Sequence, residues 1–166
     1  ITSLSMARTG TGDVTLHTVV GKDGWGMAEI GKNGVVKPAT PTDPAGNGYS
    51  YQAALDEVTD VVGLVKAKGL KYRVGAILLT HGETDYGDFN YDQKMVALLN
   101  DYNSALKTIT GDTTDIPMIA SQSSPGYPTG VNTLPDSPTS AVRQWAASVD
   151  HPTSIFLSGP KYQFDF

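Results

Sequence analysis

Ionisable side chains come directly after an apolar run in the middle of this sequence. Residues 76–79 are Ala-Ile-Leu-Leu, and Thr80-His81-Gly82-Glu83-Thr84-Asp85 follows them. Such a run is typical of a strand in a parallel sheet, because these strands are buried on both faces. In open α/β sheets, ligands bind at the carboxyl ends of the strands. We therefore predict a site for polar chemistry around His81, Glu83 and Asp85.

Three interpretations of this acidic cluster are open. The first is catalysis or ligand binding at the sheet edge. The second is purely structural, because Asp and Thr side chains often bond the backbone of a following turn. The third is a metal site, because alternate residues His81, Glu83 and Asp85 point to one side of an extended chain. The next residues, Tyr86-Gly87-Asp88, look like a turn and no second histidine is near in sequence, so we expect no metal.

A glycine-rich segment, Gly21-Lys22-Asp23-Gly24-Trp25-Gly26, follows a β-branched stretch. Gly24 and Gly26 can present backbone N–H groups to an oxyanion or to a phosphate. Glycines equally favour a simple flexible turn. The pattern matches neither the G-x-G-x-x-G loop nor a phosphate-binding loop with its lysine. His17, inside a predicted strand, and His151, at a predicted helix end, are expected to be structural.

The elements that must position these residues alternate along the chain. We predict strands over residues 14–20, 74–80, 116–120 and 154–157. Apolar residues at helical spacing predict a helix from Tyr51 to a cap at Gly69, and a second between a capping box at Asn90 and a stop at Gly111. A short helix over 27–31 and a last one marked by Val142, Trp145, Ala146 and Val149 complete the set. Residues 33–49 and 121–138 are predicted loops.

This alternation predicts parallel strands joined by right-handed crossovers. The fold class is α/β, a three-layer α/β/α arrangement around a flavodoxin-like parallel sheet. The 166 residues suit one domain, and we find no internal repeat or linker.

Composition excludes several classes of function. With 12 basic and 17 acidic residues the net charge is −5, which disfavours nucleic acid as a partner. No basic amphipathic helix and no apolar run of spanning length is present, so we expect no membrane contact. Cysteine is absent, so there are no disulfides and no thiolate chemistry. The loop-rich, lysine-poor composition is common in secreted bacterial and phage proteins, so we expect a secreted or extracellular location.

Together these features resemble the SGNH (GDSL-like) hydrolases, in particular the carbohydrate-esterase branch that includes sialate O-acetylesterases and acetylxylan esterases. That branch has a His-Gln-Gly-Glu signature with a nearby Asp or Asn after a core strand. The matching stretch here runs from Thr80 to Asp85, with His81 where the branch often has Gln. Residues 20–24, Val-Gly-Lys-Asp-Gly, stand where the family's oxyanion glycine should be. The order of strands and helices matches over nearly the whole chain.

The resemblance implies a serine esterase that hydrolyses O-acyl, most simply O-acetyl, esters on a carbohydrate. It places Gly24 and Asp85 in the oxyanion-hole region. Gly24 would donate its N–H, whereas an ionised Asp85 cannot donate and would orient the loop or His81. No metal or organic cofactor is implied. Side chains expected to bind substrate, or equally to pack at the rim, are Trp25, His81, Glu83, Tyr86 and Tyr127.

Two blocks of the family pattern are not found. The nucleophile's Gly-x-Ser is absent, and Ser3 and Ser5 are the only N-terminal candidates. Their neighbours look like the tail of the helix that follows the nucleophile: Leu4, Met6 and Ala7. The Asp-x-x-His block is expected just beyond residue 166. We therefore expect residues 1–166 to be the central part of a single domain, inactive by themselves. The sheet's central first strand would come from the rest of the domain or from another chain, because unpaired buried groups cost about 1–3 kcal/mol each.

Two further functions fit the sequence. An SGNH-like scaffold without its triad would serve as a carbohydrate-binding module. A flavodoxin-like nucleotide or phosphate binder fits the fold class, but the acidic cluster after residue 80 disfavours it because a phosphate there would meet like charge.

Overall fold

A computed structural model of the chain describes residues 5–8, 14–21, 24–36, 46–47, 49–123 and 140–160. Two short hairpins and a short helix come first: β1 (Ser5–Arg8), β2 (Val14–His17), α1 (Met27–Ile30), β3 (Val35–Val36) and β4 (Gly46–Asn47). Strands and longer helices then alternate: α2 (Tyr49–Ala67), β5 (Ile77–Thr80), α3 (Tyr91–Thr110), β6 (Met118–Gln122), α4 (Ser140–Asp150) and β7 (Ile155–Pro160). The α/β class predicted from this alternation is confirmed.

The main sheet has three parallel strands in the order β5-β6-β7. Each successive strand is added on the same side of the strand before it. Right-handed crossovers therefore place α3 and α4 on the same face of the sheet. That face is the core: Leu79 is buried, and Met118, Ala120 and Ile155 are almost completely so. The expectation of a flavodoxin-like α/β sheet is compatible with this arrangement.

The opposite face of the sheet is open. Leu78, Ile119 and Phe156 are aligned across the three strands, and Leu78 and Phe156 are 65% and 44% exposed. The prediction that the strand before His81 is buried on both faces is therefore wrong at Leu78. The sequence predicted a third layer, a set of helices on this face. No such layer is found among the described elements.

Helix α2 packs beside α3 and runs in the same direction. The rings of Tyr51 and Tyr102 lie 4.7 Å apart, and the Tyr51 hydroxyl donates to the carbonyl of Asp101. At the other end, Val62 of α2 and Thr110 of α3 line one cavity. Since crossover helices run opposite to the strands they join, α2 is antiparallel to the sheet.

The N-terminal region differs from its prediction. Strand β2 ends at His17 and pairs antiparallel with β1 in a separate two-stranded sheet, whereas residues 14–20 were predicted to join the parallel sheet. Ser5 lies in β1, where no strand was predicted, and Met6 and Ala7 pair with β2 rather than ending a helix. The reason is local: residues 9–13, Thr-Gly-Thr-Gly-Asp, have a composition typical of hairpin connections.

Helix α3 begins and ends by different means. Gly111 ends it, as predicted, at φ +75° with its N–H donated to the carbonyl of Lys107, a left-handed conformation that glycine adopts readily. The predicted capping box is wrong, because the Asn90 side chain makes no capping hydrogen bond. Instead Asp88 accepts a hydrogen bond from the Asn90 N–H at 2.9 Å and pairs with Lys94.

Candidate functional site

The glycine-rich loop meets the carboxyl end of β5. His81 donates its Nε2 hydrogen to the carbonyl oxygen of Trp25 over 2.7 Å. The hydrogen must lie on Nε2, because a carbonyl oxygen only accepts. Four residues further on, Asp85 Oδ2 accepts the backbone N–H of Met27 over 2.6 Å. Two hydrogen bonds from one short segment thus fasten the residues before and at the start of α1 to the sheet.

The backbone at Gly26 lies close to the carboxylates of Asp85 and Glu29. A Cβ added to Gly26 would lie 2.8 Å from Asp85 Oδ1, closer than real Cβ contacts. The Gly26 N–H is donated to the Glu29 carboxylate at 2.9 Å. The backbone amides that begin α1 are therefore already taken up by the chain's own carboxylates, from Glu29 and Asp85.

The second ring nitrogen of His81 is also engaged. Nδ1 lies 2.7 Å from the hydroxyl of Tyr91, and the two rings are nearly parallel at 5.9 Å. Burial raises the pKa of Tyr91 far above its ordinary value, so this hydroxyl keeps its hydrogen and donates it. The nearest carboxylate oxygen, Asp85 Oδ2, is 3.8 Å from Nδ1, which is too long for a hydrogen bond.

Buried side chains of Ser123, Ser140 and Gln144 form a hydrogen-bonded network next to the carboxyl end of β5. Ser140 Oγ donates to the carbonyl of Gly82 at 2.6 Å and lies 3.1 Å from Ser123 Oγ. Gln144 accepts the Ser123 N–H through Oε1 and donates Nε2 to the His81 carbonyl, each at 2.7 Å. These bonds join the ends of β5 and β6 to α4, so the His81–Gly82 peptide cannot rotate freely.

Sequence reasoning missed this network. The apolar positions that indicated α4 lie mostly outward, with Val142, Trp145 and Val149 each about half exposed. The buried face of α4 instead carries Ser140, Ala141, Gln144 and Ala147. The available signal was the spacing of Ser140, Gln144 and Ala147, which share one side of a helix.

The structure brings some of the predicted site residues together. Gly24 is exposed in a turn with φ +78°, next to the Trp25 carbonyl that His81 holds. Trp25 is partly buried and its ring meets Tyr49 edge-on at 6.0 Å. Glu83 and Tyr86 are partly buried in the segment after β5; the Tyr86 carbonyl accepts the Ser140 N–H. Tyr127 and Ser3 lie outside the described residues.

The other two histidines lie apart from this edge. His17 ends β2 and is exposed. His151 follows α4, where its N–H is donated to the Ala147 carbonyl, in agreement with its predicted place at a helix end.

The chemistry open to these groups is limited by their bonds. Neither ring nitrogen of His81 is available as a base, and the Ser123 and Ser140 hydroxyls are bonded to each other and to a carbonyl. Within the described ranges no serine hydroxyl is hydrogen-bonded to a histidine. The same residues contain no group of three acidic or histidine side chains placed to hold a metal ion. The hydrogen bonds of His81 and Asp85 hold the loop before α1 against the carboxyl end of β5.

None of the helices in the described part of the chain combines the length and apolar character needed to cross a membrane. Comparison of the chain with protein-family models, with curated proteins and with solved structures found no match.

Proposed function

We propose that this chain is the central part of a serine esterase domain that removes O-acyl groups, most simply acetyl, from a carbohydrate. The observation that carries the proposal is the fastening of the glycine loop to the carboxyl end of β5 through His81 and Asp85. This edge is where α/β sheets bind ligands. The loop presents Gly24 in an exposed turn, where its backbone is accessible to a substrate oxygen.

In the proposed reaction, a serine outside this chain attacks the ester carbonyl while a histidine outside it takes the proton. The tetrahedral oxyanion receives the Gly24 N–H, then collapses and expels the sugar alcohol, which takes the proton back from the histidine. Water repeats the sequence on the acyl-serine and releases the carboxylic acid. Losing one oxyanion donor costs about 2.7–4 kcal/mol of transition-state stabilisation, so the position of Gly24 matters.

His81 and Asp85 serve in this proposal as supports. The hydrogen bond from His81 fixes the carbonyl of Trp25, and Asp85 fixes the amide of Met27. Their bonds set the path of the chain on both sides of Gly26, and so the direction of the turn at Gly24. Trp25, Tyr86 and Tyr127 are proposed to line the carbohydrate, with Glu83 and His81 beside them.

We further propose that a strand parallel to β5, from the same domain, pairs with the outer edge of β5. In the described part of the chain β5 pairs with β6 alone. The segment after β2 runs opposite to α2, since Thr18 bonds Glu57 and the Val20 carbonyl bonds Ser50. Because α2 is antiparallel to the sheet, this segment runs parallel to β5. A strand inserted between this segment and β5 would therefore run parallel to both.

The test is labelling of the full-length protein with a fluorophosphonate, read beside hydrolysis of p-nitrophenyl acetate. We expect stoichiometric labelling on a serine outside residues 1–166 and loss of hydrolysis on labelling. The control is the same protein unfolded in urea, which should not label. Hydrolysis that survives full exposure to the reagent would contradict a serine esterase.

A carbohydrate-binding module is the second candidate. It is favoured by the lack of a serine–histidine pair in the described ranges, together with a partly exposed Trp25 beside the loop. In that case the protein would neither label nor hydrolyse esters, but would bind acetylated xylan or sialoglycans in calorimetry. Substituting Trp25→Ala would then weaken binding by about 1 kcal/mol or more.

A further inference from the structure

The cavity lined by Val62 and Thr110 lies at the edge of the sheet opposite the candidate functional site. Helix α3 begins after the carboxyl end of β5 and ends before β6 starts, so its last turn, with Thr110, lies at the amino edge. The cavity has a volume of about 310 Å³, at the lower end of the range of about 300–1,000 Å³ for small-molecule sites. We propose that it binds a small amphipathic anion, a molecule with an apolar body and one anionic head.

Apolar side chains at the end of α2 and just after it form one part of the lining. Val62 is buried and Val65 is partly buried, whereas Leu70 is 61% exposed although it lines the cavity. Tyr72 completes this part and packs, partly buried, against the core. An apolar ligand body would cover the exposed surface of Leu70, so its binding would gain from the hydrophobic effect.

The charged side chains of the lining favour an anionic head. Lys66 and Lys71 both line the cavity, and within the described ranges neither is paired with a carboxylate. The one acidic side chain that these ranges contribute to the lining is Asp112. Its Oδ1 accepts the Thr114 N–H at 2.9 Å, and its Oδ2 lies 3.8 Å from Arg73 Nε. Because Arg73 balances the charge of Asp112, the two lysines give the lining a net positive charge.

The sequence around the cavity carries the same sign of charge. Residues 61–82 contain four basic side chains and no acidic one, although the whole chain has a net charge of −5. Such a local excess of positive charge raises the concentration of anions near this edge. Burial raises the pKa of Tyr72, so its hydroxyl stays neutral and adds no opposing charge.

The test is a titration of the full-length protein with octanoate at about 0.15 M salt, followed through the NMR signals of its backbone amides. We expect saturable shifts that are largest in the lining, at Leu70 and Gly111 among others. Octanol has a similar body without the charge and should bind about three-fold or more weakly. Acetate, which has the head alone, should cause no saturable shift.

Variants separate the head from the body of the ligand. Lys66→Gln and Lys71→Gln should each weaken octanoate binding by about two- to five-fold and leave octanol binding unchanged, because each removes one exposed ion pair. The matched control is Lys68→Gln, which lies between them in sequence but outside the lining and should have less effect. Leu70→Ser should weaken the binding of both molecules, whereas Leu64→Ser, at a leucine that is 66% exposed outside the lining, should weaken neither.

Equal binding of octanoate and octanol, or equal effects of Lys66→Gln and Lys68→Gln, would overturn the recognition of an anionic head. Shifts that do not saturate, or that are as large at Leu64 as at Leu70, would overturn the cavity as the binding site and indicate an open apolar surface instead. None of these residues takes part in the proposed esterase reaction, so either proposal can fail without the other.

Discussion

Gly82 is the residue of the site at which a side chain is least tolerable. Its φ is +124°, and a Cβ would lie 2.9 Å from both Gln144 Nε2 and Ser123 Oγ. An alanine at position 82 would be strained in this backbone conformation, and its Cβ would crowd Gln144 and Ser123. Gly82→Ala should therefore lower the free energy of unfolding by about 2–3 kcal/mol. Urea denaturation of the full-length protein measures it.

The matched control for Gly82 is Gly63, in the exposed middle of α2, where a Cβ would meet nothing within 4 Å. Gly63→Ala should raise the free energy of unfolding by about 0.5–1 kcal/mol, because alanine loses less backbone entropy. Equal effects of the two substitutions would contradict the crowding at Gly82.

Asp88 makes the stability of the start of α3 depend on pH. Burial tends to raise the pKa of its carboxyl, but the hydrogen bonds from Lys94 and Asn90 outweigh it and hold the pKa below its ordinary value of 3.8. A carboxyl with a lowered folded-state pKa contributes stability above its unfolded pKa and loses it as pH falls through the folded pKa. Asp88→Asn should therefore cost about 0.5 kcal/mol at neutral pH, a difference that disappears in acid.

Thermal unfolding between pH 7 and pH 2.5 measures the Asp88 effect, with Asp115→Asn as the control. Asp115 also pairs with a lysine, Lys107, but its side chain is 80% exposed, so little change in stability is expected. A stability difference for Asp88→Asn that is the same at all pH values would show that the charge of Asp88 has no part in it.

The positions of His81 and Asp85 could be predicted from sequence, because polar residues directly after an apolar run mark the end of a strand. Their roles could not. Whether a histidine is free to react depends on what approaches its two nitrogens, and here the partners come from positions 25 and 91. Gln144 was not predicted because its place depends on how α4 is rotated about its axis. The apolar stripe including Trp145 does not set that rotation.

Asp85 holds the loop before α1 against the end of β5 through the Met27 N–H. Removing the carboxylate in Asp85→Ala leaves the Met27 N–H without its acceptor, and hydrogen bonds to charged groups contribute about 1.5–3 kcal/mol. Amide hydrogen exchange at Met27 should accelerate by roughly ten-fold or more. Asp85→Asn retains an oxygen acceptor and should show a smaller change. Unaltered exchange at Met27 in Asp85→Ala would contradict the attachment.

Sequence periodicity predicted the part of the molecule that runs from α2 to β7, where elements follow local rules. From α2 to β7 helices and strands alternate along the chain, so alternation alone indicates a parallel sheet. The region before α2 has short strands separated by glycine- and proline-rich stretches of sequence. There, pairing depends on which strand is near, and β2 pairs with β1 rather than beside β5. Periodicity carries no information about that choice.

In the described part of the chain, the edge of β5 that faces away from β6 is unpaired. Parallel sheets are ordinarily buried on both faces, yet here Leu78 on β5 is 65% exposed. Residues 1–166 expressed alone should therefore unfold without a sharp cooperative transition. In the full-length protein the outward amides of β5 should be protected from hydrogen exchange, because the added strand accepts their hydrogen bonds.

Strand β6 supplies the internal control, since it is paired on both sides. Its amides should exchange more slowly than those of β5 in residues 1–166, and the two strands should become similar in the full-length protein. Protection of β5 that increases with protein concentration would assign the added strand to a second chain. A sharp, monomeric transition for residues 1–166, with β5 as protected as β6, would mean that no strand is missing, because the open edge would then be stable in water.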